Sequence, residues 1–353
     1  MAINSKVSLT LDDGQVVETT MHPVIVSASR ATDIPAFYSD WFFCRLQKGY
    51  SVWINPFNNK KGYVSYQDTR FIVFWSKNPE PLLNYLDILS DKAIGCYIQF
   101  TLNDYVTDGL EKNVPKVDKR IDTFRRLVDK LGLGHVVWRF DPLVLTDTIT
   151  QDCLLERIEY IGDKLKGYTE KLVFSYADIS LYRKVKHNLD ESGIRYHEWT
   201  TEEMVVFAEK LVSLNRKWGY TLATCGEKID LPNVMHNHCV DHDLIIRLAY
   251  KDRVLMDYLG VKIYPVNRDF FGNSNIPDNA ILLDDGRMAI QSKIMPDKGQ
   301  RTYCGCMVSK GIGQYNTCPH QCEYCYANAS KEIALANWAK HQKNKYSETI
   351  IGS

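Results

Sequence analysis

Ile25-Val-Ser-Ala-Ser-Arg-Ala-Thr-Asp-Ile-Pro35 is an apolar run that ends in a polar cluster, and a segment of helical period, Ala36 to Lys48, comes directly after it. With Val24 it reads as a short buried strand, Val24 to Ser27, feeding a helix. The same order recurs downstream. Further strands are expected at Phe71 to Trp75, Cys96 to Leu102, Val136 to Phe140 and Leu172 to Tyr176, then more weakly at Tyr196 to Trp199 and Thr221 to Thr224. Between them lie amphipathic segments: Glu80 to Leu89, Lys119 to Leu131, Asp152 to Lys164, Ser180 to Ser192 and Glu202 to Lys217. Strands that alternate with helices in this way predict an α/β fold built of parallel βαβ units, a full or partial TIM-type (β/α) barrel.

In such barrels the reactive groups sit where the strands end, because the loops there line one mouth. Polar residues gather at each expected end: Ser29, Arg30, Thr32 and Asp33; Ser76, Lys77 and Asn78; Thr101, Asn103 and Asp104; Arg139 and Asp141; Tyr176 and Asp178. They define either a polar pocket or a set of helix caps and ion pairs. Lys77, Arg139 and Asp141 are the candidate catalytic groups. Arg30, Asp33, Ser76 and Gln99 are the candidate cofactor-binding groups. Lys77 and Arg139 suit a carboxylate or phosphate, or pair with Glu80 and Asp141. Asp33 and Asp141 suit ribose hydroxyls, with a helix cap as the other reading of Asp33.

The flanks differ. Val7 to Val17 and Ala280 to Ile290 each carry Asp-Asp-Gly between β-prone runs, a hairpin signal, and the two are expected to pair as a small β appendage. The chain then divides into an N-terminal hairpin over 1–20, the barrel over 21–266, an irregular stretch and hairpin over 267–300, and a cysteine-bearing segment with a C-terminal helix over 301–353. Lys+Arg and Asp+Glu are equal at 43 each, so no overall field draws the protein to nucleic acid or an anionic surface. No run approaches the ~20 apolar residues of a membrane span. The start, Met1 to Met21, is polar, and a cytoplasmic location is expected.

A reducing compartment argues against a disulfide framework for the ten cysteines, and five of them fall between Cys304 and Cys325. Such crowding suggests metal ligation. Thr317 to Asn328 reads Thr-Cys-Pro-His-Gln-Cys-Glu-Tyr-Cys-Tyr-Ala-Asn, which spaces Cys318, Cys322 and Cys325 as C-x3-C-x2-C. One loop of this length wraps three thiolates around a cubane face and leaves one iron open, as a reactive metal site requires. The alternative is a zinc knuckle completed by His320 or a remote ligand. A helix is expected from Ala327 to Lys340. Cys225, Cys239, Cys304 and Cys306 form a second set, suited to an auxiliary [4Fe-4S] cluster or structural zinc, with His236, His238 and His242 as substitute ligands. Gly305 lets the pair around it turn tightly. Free buried cysteines are the other reading, and they are the reading for Cys44, Cys96 and Cys153.

The triad, with Tyr324 directly before its last cysteine, resembles the signature of the radical SAM superfamily. That resemblance implies a [4Fe-4S] cluster whose open iron binds S-adenosylmethionine and cleaves it to a 5'-deoxyadenosyl radical, an aromatic at Tyr324 near the adenine, and a flavodoxin or ferredoxin as electron donor. In that superfamily the triad comes early; here it comes last. The earlier segments resemble, in order, the units downstream of the cluster in the branch related to spore photoproduct lyase. Ile25 to Pro35 is similar to its strand ending in a Thr-Asp-Pro-type loop, Phe74 to Pro79 to its Thr-Lys strand end with Ser76-Lys77 in place, and Glu111, Pro115 and Arg120 to its spaced Glu, Pro and Arg. Lys112 departs from the usual Glu-Pro. Asp141-Pro142 falls where a further strand ends. The order implies a circular permutation that moves the cluster-bearing first unit to the C-terminus, where it completes the barrel beside Arg30, Lys77 and Arg139. Residues 22 to 330 also resemble an uncharacterised bacterial family marked by Ser-Arg-x-Thr-Asp-Ile-Pro and the late cysteine cluster.

Two classes of function are expected. The first is a radical SAM enzyme on an unidentified substrate, nucleic acid among the candidates. The second is a zinc-stabilised barrel that binds nucleic acid or a protein partner, favoured by the tyrosines and disfavoured by the neutral charge.

Overall fold

Alternation along the strands decides which side of the sheet each residue faces. A computed structural model describes residues 5–266, 276–300 and 303–352. Its main sheet has eight strands: β1 (Ile25–Ala28), β2 (Phe71–Ser76), β3 (Gly95–Thr101), β4 (Val136–Leu143), β5 (Lys171–Tyr176), β6 (Thr221–Thr224), β7 (Met235–His236) and β8 (Lys310–Gly311). The order across the sheet is β7-β6-β5-β4-β3-β2-β1-β8, and every neighbouring pair is parallel. From β1 to β7 the chain moves over by one strand at a time, as βαβ units do. β8 alone jumps back, to lie beside β1. Among the described residues no ladder joins β7 to β8, so the sheet is open and not a hydrogen-bonded closed barrel.

The even-numbered residues of β1 to β6, among them Val26, Ile72, Phe74, Ile98, Phe100, Trp138, Phe140, Leu172, Phe174 and Leu222, are buried in one large core. Helices Ser39–Lys48, Val117–Leu131, Gln151–Leu165 and Thr201–Asn215 contribute Phe42, Phe124, Leu127, Leu154, Ile158, Phe207 and Leu211 to it. Close packing has a local cost in sequence freedom. A Cβ on Gly162 would lie 2.5 Å from the Trp218 ring, so only glycine admits that side chain. The odd-numbered face begins apolar, with Ile25, Phe71, Val73 and Tyr97 packed against helices His242–Ala249 and Arg253–Leu259. Toward the strand ends the same face turns polar, through Ser27, Trp75, Gln99, Arg139, Ser175 and Cys225.

Several expectations change. Tyr196–His197 pairs antiparallel with Leu145–Thr146 in a separate two-stranded sheet and takes no place in the main one. Tyr196 is half-buried and His197 exposed, whereas a strand inside a parallel sheet is apolar on both faces. The two Asp-Asp-Gly segments do form hairpins, each with a left-handed glycine, Gly14 (φ 84) and Gly286 (φ 81). They do not pair with each other. Val7–Thr10 and Val16–Thr19 make a sheet of their own, while Ala280–Leu282 and Arg287–Gln291 join Val261–Pro265 in a three-stranded antiparallel sheet. A further hairpin, Tyr50–Ile54 with Lys61–Ser65, was not foreseen because its longer turn lacks the two-residue signal. The C-terminal helix starts later than its alanines suggested, at Lys331, because Ser330 caps it by accepting from the Ile333 N–H at 3.2 Å, and it runs to Lys343. Most of the irregular stretch expected at Asn267 to Asn279 lies outside the described residues. No helix among the described residues is long and apolar enough to cross a membrane.

The large core makes a simple prediction. Phe100→Ala should lower unfolding free energy in denaturant by about 3–5 kcal/mol, whereas Phe57→Ala, at a side chain 96% exposed, should change it by less than about 0.5 kcal/mol.

Candidate functional site

The cysteine loop reaches the strand ends through β8. Lys310 and Gly311 pair with Val26 and Ser27, and the Ile312 N–H continues the ladder to the Ser27 carbonyl at 3.2 Å. Gly313 then passes so close to Ser29 Oγ that no side chain would fit there. Beyond it the loop turns at Asn316 (φ 62) and Gln321 (φ 57), two left-handed residues that fold the segment back on itself. Main-chain contacts fix it over the ends of β1 to β3. The Glu323 N–H donates to the Leu110 carbonyl at 2.9 Å, Asn113 N–H to the His320 carbonyl at 3.1 Å, Asn113 Nδ2 to the Pro319 carbonyl at 2.9 Å, and Tyr38 Oη to the Thr317 carbonyl at 2.5 Å. Asn328 Nδ2 closes the loop onto the Cys318 carbonyl at 2.8 Å.

Two buried charge groups lie under it. His320 Nε2 meets Asp33 Oδ2 at 2.7 Å, and the same carboxylate accepts from the Lys77 N–H at 2.8 Å and from Ala36 N–H at 3.0 Å, capping the short helix Ile34–Phe37. Burial alone would raise the Asp33 pKa; the His320 hydrogen bond and its other donors outweigh that and hold it below 3.8. Lys77 Nζ, in turn, contacts Glu111 Oε1 and Tyr324 Oη, each at 2.8 Å. Tyr324 Oη donates to Glu111 and receives Asn103 Nδ2 at 3.3 Å, while Arg120 lies 3.8 Å from Glu111 Oε2. Burial opposes charge on Glu111, but Lys77 and Arg120 keep it ionised. Burial also disfavours the Lys77 cation, and there the Glu111 carboxylate prevails. A carboxylate this enclosed is stable only with its partners, since removing one partner of a buried pair costs about 3–5 kcal/mol.

Burial pushes the Cys318 thiol up to about 12 and Cys322 well above its usual range, so both are neutral as protein groups alone. A metal reverses this, because a coordinating thiol is deprotonated outright. Three soft sulfur donors carried on one short loop, with the Lys77 cation beside Cys322, are the donor type that iron–sulfur clusters take.

The second set also comes together, on the odd-numbered face. Cys225 Sγ and Cys239 Sγ are 3.2 Å apart, and Cys306 Sγ accepts from the N–H groups of Cys239 at 3.1 Å and Val240 at 3.3 Å. Arg139 Nη1 donates to Cys239 Sγ at 3.3 Å and to Gln99 Oε1 at 3.2 Å, while Gln99 Nε2 holds the Cys239 carbonyl at 3.0 Å. Arg139 is also paired with Asp141, which accepts from Ser175 Oγ.

The remaining candidates divide between these groups. Ser76 Oγ accepts from Asn78 N–H at 2.9 Å and bonds to Asp33, on the triad side. Arg30 spans the gap. Its guanidinium stacks 5.4 Å from the Trp75 ring, its charge acts on Cys239 and Cys304, and its carbonyl accepts from Tyr326 Oη at 3.1 Å. Tyr326 Oη thereby ties the chain just after the triad to the Arg30 backbone. Tyr324 is 8% exposed and committed to Lys77, Glu111 and Asn103; Tyr326, 47% exposed with its ring beside Tyr182, is the aromatic surface at the mouth. Ser27 Oγ, Arg30 Nη2, Thr32 Oγ1, Asn78 Oδ1 and Asn103 Oδ1 are buried without a partner among the described residues. Each such atom costs about 1–3 kcal/mol unless a polar ligand satisfies it.

Three participants escaped the roles assigned from sequence. His320 is the partner of Asp33 and not a fourth metal ligand. Lys77 pairs with Glu111, while Glu80 is taken by Lys119 and Arg126. Glu323, fully buried between Lys112 and Lys331, anchors the loop from within. Apart from Glu323 with Lys331, these pairings join residues distant in sequence, and only Glu111 had left a trace, in its spacing to Pro115 and Arg120.

An open parallel α/β sheet with two cysteine groups over the ends of its strands defines the class of protein. The chain belongs to the family described as a domain of unknown function, DUF1848, whose model matches residues 25–327. No curated protein and no solved structure matches it.

The Asp33 pairing carries a pH signature. A carboxyl held below its unfolded value adds stability that is complete above that value and is lost as pH falls through the folded one. Asp33→Asn should therefore give a shallower loss of stability than the wild type between about pH 4 and pH 2, measured by denaturant titration at each pH.

Proposed function

We propose that the chain is a radical SAM enzyme of the spore-photoproduct-lyase-like kind, circularly permuted, with its [4Fe-4S] cluster on Cys318, Cys322 and Cys325. The observation that carries this reading is the seat of β8. The strand leading into the triad pairs with β1, the first strand of the series, which is the position that a moved first unit would take. Strand ends are where parallel α/β folds bind and transform ligands.

With S-adenosylmethionine bound, a cluster of this type supplies reductive cleavage of the sulfonium to a 5'-deoxyadenosyl radical, given an electron from a flavodoxin or ferredoxin. The protein's own residues do the rest. Lys77 and Glu111 grip Tyr324, and Asp33 grips His320, which together hold the cysteine loop to the sheet. Cys322 is buried and Cys318 half-buried, which limits the approach of water to their sulfurs. The unsatisfied Arg30, Ser27, Thr32 and Asn103 atoms suit the carboxylate, amino and hydroxyl groups of the cosubstrate, and Tyr326 offers a ring face to its adenine. Arg139 and Asp141, across the mouth, remain for orienting the substrate.

The test is anaerobic reconstitution followed by iron and sulfide analysis, EPR, and reduction with S-adenosylmethionine. A [4Fe-4S] signal and 5'-deoxyadenosine are expected, and Cys322→Ala should lose the 5'-deoxyadenosine together with the iron held by the triad. A colourless protein with stoichiometric zinc at the triad, or an intact cluster that yields no 5'-deoxyadenosine, would overturn the proposal.

A further inference from the structure

Cys225, Cys239, Cys304 and Cys306 come from three segments separated by long stretches of chain, yet their thiols form a run of neighbours. Cys225 Sγ lies 3.2 Å from Cys239 Sγ, the N–H groups of Cys239 and Val240 reach Cys306 Sγ at 3.1 and 3.3 Å, and Cys304 packs in the same cluster as the other three. A separation of 3.2 Å is far beyond a disulfide, at about 2.05 Å, and all four are free. It is close to the ~3.8 Å edge of a sulfur tetrahedron built on Zn–S bonds of about 2.3 Å.

We infer that these four cysteines are the ligands of a second, closed thiolate metal centre, independent of the triad and of the radical SAM reading. Four adjacent thiols in a mostly buried place have little reason to gather as thiols, whereas a soft metal binds all four and releases their protons. The surroundings are built for the resulting negative charge. Arg139 donates to Cys239 Sγ, the N–H groups of Cys239 and Val240 point at Cys306 Sγ, and Asn237 Nδ2 approaches Cys239 Sγ at 3.5 Å. Such second-layer donors are typical of metal thiolates. The backbone is fixed as well: the Cys239 carbonyl accepts from Tyr97 Oη at 2.7 Å and from Gln99, and the Cys225 N–H donates to the Phe174 carbonyl at 2.9 Å. His238 fills the space where a side chain on residue 305 would be, so Gly305 is required between Cys304 and Cys306.

A competing group lies nearby. The ligand atoms of His238, Asp241 and His242 are within 4.8 Å of one another. Asp241, however, already caps helix His242–Ala249 with one oxygen and meets Lys171 at 3.4 Å with the other, which leaves two imidazoles. Four sulfurs make the stronger claim on a soft ion.

The centre also has a structural meaning. Cys225 and Cys239 lie just past β6 and β7, at one edge of the sheet, while Cys304 and Cys306 precede β8 at the other. Metal at these sulfurs ties the two edges together where the ladder does not, with a main-chain bond from Met307 N–H to the Val240 carbonyl at 3.0 Å beside it.

The test uses the full chain with Cys318, Cys322 and Cys325 all changed to Ala, so that the triad contributes no metal. Zinc, iron and acid-labile sulfide are measured on folded protein, and Co2+ is exchanged in. Stoichiometric zinc, with thiolate-to-cobalt charge transfer and tetrahedral cobalt bands on exchange, identifies a single ion; iron with matching sulfide identifies a cubane. Either supports the centre, provided that Cys225→Ser with Cys239→Ser removes the metal. A second measurement avoids variants: in the native chain the four thiols should resist iodoacetamide until a chelator strips the metal, as read by mass spectrometry. A folded triad variant without metal, or native thiols alkylated equally with and without chelator, would overturn the inference.

Discussion

Two residues of β8, Lys310 and Gly311, pair with Val26 and Ser27 of β1, and the arrangement of the whole mouth depends on that short ladder. Without it the cysteine loop would have no reason to lie near Asp33, Lys77 or Glu111, which are more than two hundred residues away in the chain. A two-residue ladder is weak by itself. It holds because the loop beyond it adds main-chain bonds to Leu110 and Asn113, brings Tyr324 onto the buried Lys77–Glu111 pair and sets the buried Glu323 opposite Lys112. Buried ion pairs contribute little net stability once desolvation is subtracted, yet breaking one is costly. Their effect here is to fix position: few other placements of the loop would leave these charges satisfied.

The alternation of the strands gives the two cysteine groups their common address. Even-numbered residues are spent on the large core under the helices. The odd-numbered residues near the strand ends, Gln99, Arg139, Ser175 and Cys225, are therefore free to carry chemistry on the opposite face. The triad closes over that face from the β1 side, and the second group is bound to it from the β6 and β7 side. Arg30 relates the two: its carbonyl accepts from Tyr326 Oη, just after the triad, and its guanidinium charge acts on Cys239.

Much of this was legible in the chain. The strands β1 to β6 were readable because buried parallel strands are continuous apolar runs, and Gln99 and Arg139 stood out as polar residues inside them. Cys225, Cys239, Cys304 and Cys306 read either as one ligand set or as free buried cysteines, and they pack in one cluster. The features that stayed hidden were long-range and electrostatic. Nothing local pairs His320 with Asp33 or Lys77 with Glu111, so His320 entered only as an optional ligand of the zinc alternative, and Glu80 was the partner weighed for Lys77 against a ligand-binding role. Tyr196 to Trp199 had the composition of a strand but not the two apolar faces that a place inside the sheet demands. The hairpins at Asp12-Asp13-Gly14 and Asp284-Asp285-Gly286 were recognisable by their turns, but turn chemistry does not specify which sheet a hairpin joins.

The claim at the centre of this account is an iron left open by Cys318, Cys322 and Cys325, facing a pocket that accepts the amino and carboxylate groups of S-adenosylmethionine. Electron–nuclear double resonance on the reduced protein, with the cosubstrate labelled with 17O in its carboxylate and 15N in its amino group, measures that contact directly. Hyperfine coupling from both labels to the cluster is the predicted result. A reduced, intact cluster whose spectrum is the same with labelled and unlabelled cosubstrate would contradict it.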